Sequence, residues 1–286
     1  RVGTRGVHYL QFGRGGFKQP QQVNFLVYLL SIGFEPDVVL VIDGFNEVAL
    51  GANNAALGVS PIFPSFPHWT FLALAGTTDS ELLDIMVEMR LTQRALTSTC
   101  ERALRLNLCA SSVLGRLILG HALALRRDYN EATERYTTAL VARSTQPALR
   151  GPKRGVDLAA NLAQSVRCWQ ESSRLSAAIC TVHSIAYLHV LQPTLHDPEG
   201  KVMTDEEKRS GDLAPAWMDG VRTGYPMLRE AGAELVQQGV PFLDLSPVFN
   251  GHTETIYADA CHFWHLGNRL LAEGLAPALL AQLRRH

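Results

Sequence analysis

The strongest hydrophobic pattern in the chain is Val38 to Ile42, five apolar residues without alternation, four of them β-branched, running into Asp43, Gly44, Phe45 and Asn46. Such a run reads as a strand buried on both faces that stops at a turn. Ahead of it, Val7 to Leu10 is a short apolar run closed by the glycine-rich stretch Gln11 to Phe17, which predicts a strand and a tight turn. From Pro20 to Ile32 the period changes to that of a helix, with Val23, Leu26, Val27 and Leu30 on one face and Gly33 placed as the C-terminal cap. Strand, helix and strand in that order predict a βαβ unit.

Further along, Leu50 to Pro67 is rich in Gly, Asn and Pro and predicts an ordered loop, whose Phe63, Phe66 and Trp69 either line a cleft or anchor the loop to the core. Asp79 to Thr145 is helical in pattern, with Thr78 or Asp79 as N-cap and Glu81 in the first turn. Its most apolar part, Leu106 to Leu125, predicts a buried helix. Within Asp79 to Thr145, Leu119 to Leu140 resembles a single tetratricopeptide unit without a second copy, which predicts a helical hairpin and no solenoid. Arg143 to Gly155 reads as a loop. Helix Val156 to Cys180, strand Ala186 to Leu191, a charged excursion from His196 to Gly211, helix Ala214 to Gln238, strand Pro241 to Leu245, an irregular loop over Phe249 to Cys261 and helix Leu266 to Leu283 complete the chain. The alternation of strands and helices predicts a mainly parallel sheet with helices on both faces.

Composition narrows the function classes. With 286 residues, 47% hydrophobic and 19% charged, the chain has the make-up of a soluble globular protein. Its 26 basic and 27 acidic residues nearly cancel, and there is no basic block interleaved with aromatics, so a nucleic-acid partner is not expected. No apolar run reaches the roughly 18 residues that a membrane span needs. Cys100, Cys109, Cys168, Cys180 and Cys261 form no CxxC pair, which argues against structural zinc, and their odd number argues against a full disulfide framework. No cofactor motif is present, and the compartment is left open. Arg1 to Tyr9 reads as neither a signal nor a transit peptide, and the expectation is that more chain precedes Arg1.

The candidate chemistry lies in two places. Asn46 follows the Val38 to Ile42 strand, where α/β sheets bind ligands, and Gly44 allows the backbone to turn there; the alternative is an Asx turn that only closes the strand. Asp259 and His262, three residues apart before the closing helix, can converge so that the carboxylate orients the imidazole and leaves its other nitrogen free as a base. The alternative there is a helix cap beside a packed histidine. A zinc site drawing on His262, His265, Asp259 and His252 is allowed by spacing but supported by no HExxH or carboxylate cluster, so no metal is assigned.

Together these pieces resemble the SGNH hydrolases, the esterase family also called GDSL. Gln11, Phe12, Gly13, Arg14, Gly15 and Gly16 match its second block, N-x-G-x-x-G, with Gln for Asn. Gly44, Phe45, Asn46 and Glu47 match its third, G-x-N-D, with Glu for Asp, and Asp259 to His262 match the last, D-x-x-H. The resemblance implies a three-layer α/β/α sandwich with a mainly parallel, flavodoxin-like sheet, formed by 1–71 and 156–286 and interrupted by a helical insertion over 72–155. It implies that the Asn46 amide and the Gly16 N–H donate to an oxyanion hole, that His262 is the base and that Asp259 orients it. It implies serine-dependent hydrolysis of small acyl esters, among them carbohydrate O-acetyl groups, or transfer of the acyl group to a sugar hydroxyl. The family's serine belongs to a first block after the central strand. No serine of this chain has that context, so the nucleophile is expected upstream of Arg1. The rival expectation is a non-catalytic domain whose helical insertion docks a protein partner.

Overall fold

The computed structural model describes residues 6–65, 80–143 and 157–285. The chain is a mixed α/β protein that divides into two units, residues 1–69 with 150–286, and residues 70–149.

In the first unit, β1 (Val38–Asp43), β2 (Ala186–Leu191) and β3 (Phe242–Asp244) form a parallel sheet in the order β1-β2-β3. Val38 pairs with Ala186, and His189 with Phe242. Alternate strand residues meet different helices, as the two-residue period of a strand requires. Val39, Val41 and Tyr187 pack on Leu26 and Leu30 of α1 (Gln21–Ser31) and on Ile179 and Cys180 of α5 (Leu158–Val182). Leu40, Leu188, Val190 and Leu243 pack on Leu271, Leu275 and Leu279 of α8 (His265–Leu283). These helices and strands lie within two residues of their predicted positions. The α1 terminus behaves as its sequence requires: Gly33 takes φ 86°, and the N–H groups of Gly33 and Phe34 return to the carbonyls of Leu30 and Leu29, a Schellman ending.

Two expectations fail in this unit. Residues 7–10 are irregular, with Val7 and Tyr9 about four-fifths exposed, and no strand forms there. A short apolar run gains strand stability only from a paired ladder, and among the described residues β1 pairs on one side only, with β2. The predicted loop over Leu50 to Pro67 begins late: Leu50 to Ala56 is the second half of a buried helix, α2 (Phe45–Ala56), and only the described residues from Leu57 to Ser65 are loop. The Gly and Asn content of the helix hid it. Gly51 is there because a Cβ would stand 2.7 Å from Ser165 Oγ, and the Asn54 amide donates to the carbonyls of Ser60, Phe63 and Pro64, fastening the turn after the helix. On the other side α7 (Pro215–Gln237) crosses α2 at Gly220 and Gly224, where a Cβ would lie 2.4 Å from the Val48 carbonyl oxygen and 2.4 Å from Val48 Cγ1. The charged excursion contains a one-turn helix, α6 (Asp205–Ser210), capped by the Thr204 hydroxyl. Phe63 is half-buried in the described loop; Phe66, Trp69, Thr78 and Asp79, and the predicted loop after Arg143, lie outside the described residues.

The second unit is a hairpin of α3 (Ser80–Arg105) and α4 (Ser112–Arg143), joined through a 3-10 turn at Leu108–Ala110. Leu82, Ile85 and Met89 of α3 and Ala132 and Tyr136 of α4 are buried, and Arg135 pairs with Glu88. A hairpin is present, but not where the tetratricopeptide likeness put it: Leu119 to Leu140 lies inside the single helix α4, since no Gly or Pro breaks the helix between Gly120 and Arg143. Nor is Leu106 to Leu125 buried. Leu106, Val113, Leu117, Leu119 and Leu123 are each more than half exposed.

Candidate functional site

The carboxyl ends of the parallel strands gather the candidate residues. β1 ends at Asp43, and Gly44, at φ 121°, turns the chain directly into α2. A side chain there would be strained by φ and would also meet Leu191 Cδ1 at 2.3 Å. β2 runs into Gln192 to Leu195, and this segment holds the Asp259 to His262 loop: Leu195 N and Thr194 Oγ1 both donate to the Ala260 carbonyl, at 2.9 and 2.8 Å. Ala260 shares its core with Phe45 and Val48 of α2 and with Tyr225, so the last block and the start of α2 pack on the same apolar cluster.

Asp259 and His262 converge as their spacing predicts. His262 Nδ1 stands 2.7 Å from Asp259 Oδ2, while Asp259 Oδ1 accepts the N–H groups of Cys261 and His262 at 2.9 Å each. Burial opposes the carboxylate charge, but these two N–H groups and the imidazole outweigh it and hold the Asp259 carboxyl below its ordinary range. The loop is braced by Ala258 N to His262 O and Trp264 N to Ile256 O, both 2.8 Å, so the backbone fixes the pair before α8 begins. The imidazole is 76% exposed, and with Nδ1 committed to Asp259 its Nε2 makes no hydrogen bond among the described residues, an arrangement compatible with a general base. The cap alternative is answered by the fold: Asp259 precedes α8 by six residues, and the N-cap position is Trp264.

Among the described residues, the one group with metal-type donors in mutual reach is Asp259, Cys261 and His262. His252 and His265, weighed above as ligands, are not in it; His252 lies 3.4 Å from Glu254 and His265 opens α8. Burial and the neighbouring Asp259 push the Cys261 thiol above its ordinary range, which disfavours the thiolate that a cysteine nucleophile needs. Among the described residues no serine hydroxyl bonds His262.

The second and third blocks also meet. Gly16, at φ 73°, lies in the turn closed by Phe17 N to Arg14 O, and the Asn46 amide donates to the Phe17 carbonyl at 2.6 Å. Gly16 and Asn46 are thereby neighbours across the start of α2. The Gly16 N–H makes no hydrogen bond among the described residues, and one of the two Asn46 amide hydrogens is left over.

Sequence reasoning treated Glu47 as a departure from the family pattern; the structure gives it work. It is fully buried at the N-terminus of α2, with Oε1 accepting Gln19 N and Oε2 accepting Gly44 N, both at 2.9 Å. One side chain thus ties the glycine turn to the β1–α2 turn. Burial, reinforced by Asp43, pushes its carboxyl up to about 8, against the pull of those N–H groups. Burial likewise lowers Lys18, whose ammonium donates to the Pro61 carbonyl. An aspartate is one methylene shorter and would not reach both N–H groups.

Two further networks were missed in the sequence. Ser173 Oγ, His189 Nδ1, His189 Nε2 and Asp43 Oδ1 form a chain at 2.8 and 2.7 Å, with Trp169 Nε1 also on Asp43 at 2.6 Å. This has the order of a hydrolytic triad, but Ser173 and His189 are 0% exposed, and no ester reaches them. It fastens α5 to β1 and β2. The second centres on Glu207, wholly buried, whose oxygens accept from Lys201 Nζ (2.6 Å), Thr204 N (2.8 Å), Ile256 N (2.8 Å) and Tyr257 N (3.1 Å). Glu207 therefore holds the backbone two residues ahead of Asp259. A Thr-x-x-Glu capping box at Thr204 was the available signal, though it gave no hint of the reach to Ile256.

No family model matches the chain, and neither a curated protein nor a solved structure matches it with significance.

Proposed function

We propose that the chain carries the base and two oxyanion donors of an SGNH-type serine esterase, on a three-layer α/β/α sandwich. The order β1-β2-β3 agrees with that of the last three strands of a flavodoxin-like 2-1-3-4-5 sheet, and helices pack on residues of both strand parities. The observation that carries the proposal is the Asp259–His262 pair, hydrogen-bonded at 2.7 Å and presented to solvent at the carboxyl ends of the strands.

The reaction follows from these positions. A serine hydroxyl gives its proton to His262 Nε2 as its oxygen bonds the acyl carbon, and Asp259 supports the imidazolium. Negative charge collects on the former carbonyl oxygen, where the Gly16 N–H and the free Asn46 hydrogen would stabilise it. His262 returns the proton to the departing alkoxide. Water then repeats the sequence on the acyl-serine, releasing a carboxylic acid and the free serine. The serine is that of the family's first block. Small acyl esters, carbohydrate O-acetyl groups among them, are the proposed substrates, and a sugar hydroxyl replacing water would give acyl transfer.

The non-catalytic reading is favoured by one observation: the Asn46 amide is already engaged by the Phe17 carbonyl. Hydrolysis of p-nitrophenyl acetate by the full-length protein separates the two. The esterase reading expects turnover that disappears in His262→Ala; equal, slow rates in both proteins would leave the scaffold reading.

A further inference from the structure

The turn end of the α3–α4 hairpin is apolar and uncovered. Leu104 and Leu106 are 78% and 59% exposed before the turn, and Val113, Leu114, Leu117, Leu119 and Leu123 are 45–67% exposed after it. At about 100° per residue the α4 side chains spread over more than half of the helix circumference. A helix that docks on one protein face shows a single stripe instead. The charge pattern is equally one-sided. From Arg102 to Arg127 there is no Asp or Glu, and Arg102, Arg105, Arg116, Arg126 and Arg127 all lie in this stretch. Arg102, Arg105 and Arg116 are exposed around the turn. The opposite end of the same hairpin carries Glu81, Asp84, Glu88, Glu131 and Glu134 along one groove.

We propose that this hairpin end inserts shallowly into an anionic lipid surface, with its leucines in the acyl boundary and its arginines on the phosphates. A fluid apolar medium covers side chains on all sides of a helix, which one rigid partner does not. Arginines bordering an apolar segment that carries no acid from Arg102 to Arg127 orient the hairpin end against negative headgroups. A second copy is the weaker occupant, because symmetric pairing of two such ends sets against itself a stretch, Arg102 to Arg127, that carries five arginines and no acid. Insertion does not mean spanning: no helix among the described residues is long and apolar enough to cross a membrane, and Arg116 and His121 interrupt the run.

The test is co-sedimentation of the full-length protein with vesicles of equal parts phosphatidylglycerol and phosphatidylcholine, against phosphatidylcholine alone. Expected is binding to the anionic vesicles that weakens with salt, and falls about tenfold or more in Leu114→Glu/Leu117→Glu and again in Arg105→Glu/Arg116→Glu. Circular dichroism checks that both variants keep the native helix content; the arginine pair leaves the apolar residues untouched and gives a second reading. Absence of binding to anionic vesicles overturns the proposal, as does binding that both variants retain. A wild-type dimer that Leu114→Glu/Leu117→Glu disperses, without vesicle binding, assigns the surface to a second copy and overturns it equally.

Discussion

Asp259 commits one carboxylate oxygen to His262 Nδ1 at 2.7 Å and the other to the backbone N–H of the same histidine at 2.9 Å. The imidazole is thus held in ring and in backbone by a single side chain. Asp259→Asn keeps the shape but removes the charge that supports the imidazolium and offers the wrong tautomer partner. Esterase kcat is expected to fall by about 10²–10⁴ with little change in KM. A loss below about threefold would mean that Asp259 only shapes the loop.

Asn46 joins two blocks through its bond to the Phe17 carbonyl. Asn46→Ala removes an oxyanion donor and is expected to lower kcat by about 10²–10³, with thermal stability falling by no more than about 1.5 kcal/mol for the lost hydrogen bond. An unchanged kcat with a lowered stability would make the residue a strap between the turns.

Glu207 carries a prediction about acid. Lys201 and the N–H groups of Thr204, Ile256 and Tyr257 outweigh its burial and hold its carboxyl below the ordinary 4.5. A depressed folded-state value contributes stability above the unfolded value, lost as pH falls through the folded one. Glu207→Gln leaves Lys201 buried without its counter-charge and is expected to cost about 3–5 kcal/mol at neutral pH. The wild-type advantage shrinks below pH 4.5. Denaturant unfolding at several pH values reads both.

Glu47 predicts the opposite slope. Its carboxyl stands at about 8 in the folded chain, against an ordinary 4.5. Between those values the unfolded chain has released a proton that the folded chain still holds, so stability falls as pH rises from 4.5 to about 8 and then levels off. Lys18, lowered from 10.5 to about 8, adds a rise above that point. Melting temperatures of the wild type should decline from pH 5 toward 8, and Glu47→Gln should flatten this decline. Parallel curves for the two proteins would contradict it.

What the sequence made legible follows from the range of each interaction. Helix and strand positions from Val156 onward were readable because periodicity is local, and so was the Asp259–His262 contact, since three residues before a helix bring both side chains to one turn. Helix α2 was not readable. Its Gly51 and Asn54 look like loop residues until the Ser165 hydroxyl and the carbonyls of Ser60, Phe63 and Pro64 are seen beside them. Val7 to Leu10 failed for the converse reason, as a strand pattern that joins no ladder forms no strand, and these residues do not pair with the open edge of β1. Leu106 to Leu125 had the composition of a buried helix, and composition does not say what covers it. Glu47 and Glu207 act on N–H groups 28 and 49 residues away, and no motif spacing records a contact of that length.

The most direct test of the central claim is the intact mass of the full-length protein after treatment with a fluorophosphonate, with His262→Ala alongside. The account predicts one adduct on the wild type, mapped to a serine and lost or strongly slowed in the variant. No adduct on folded wild-type protein, or equal labelling of both, would contradict it.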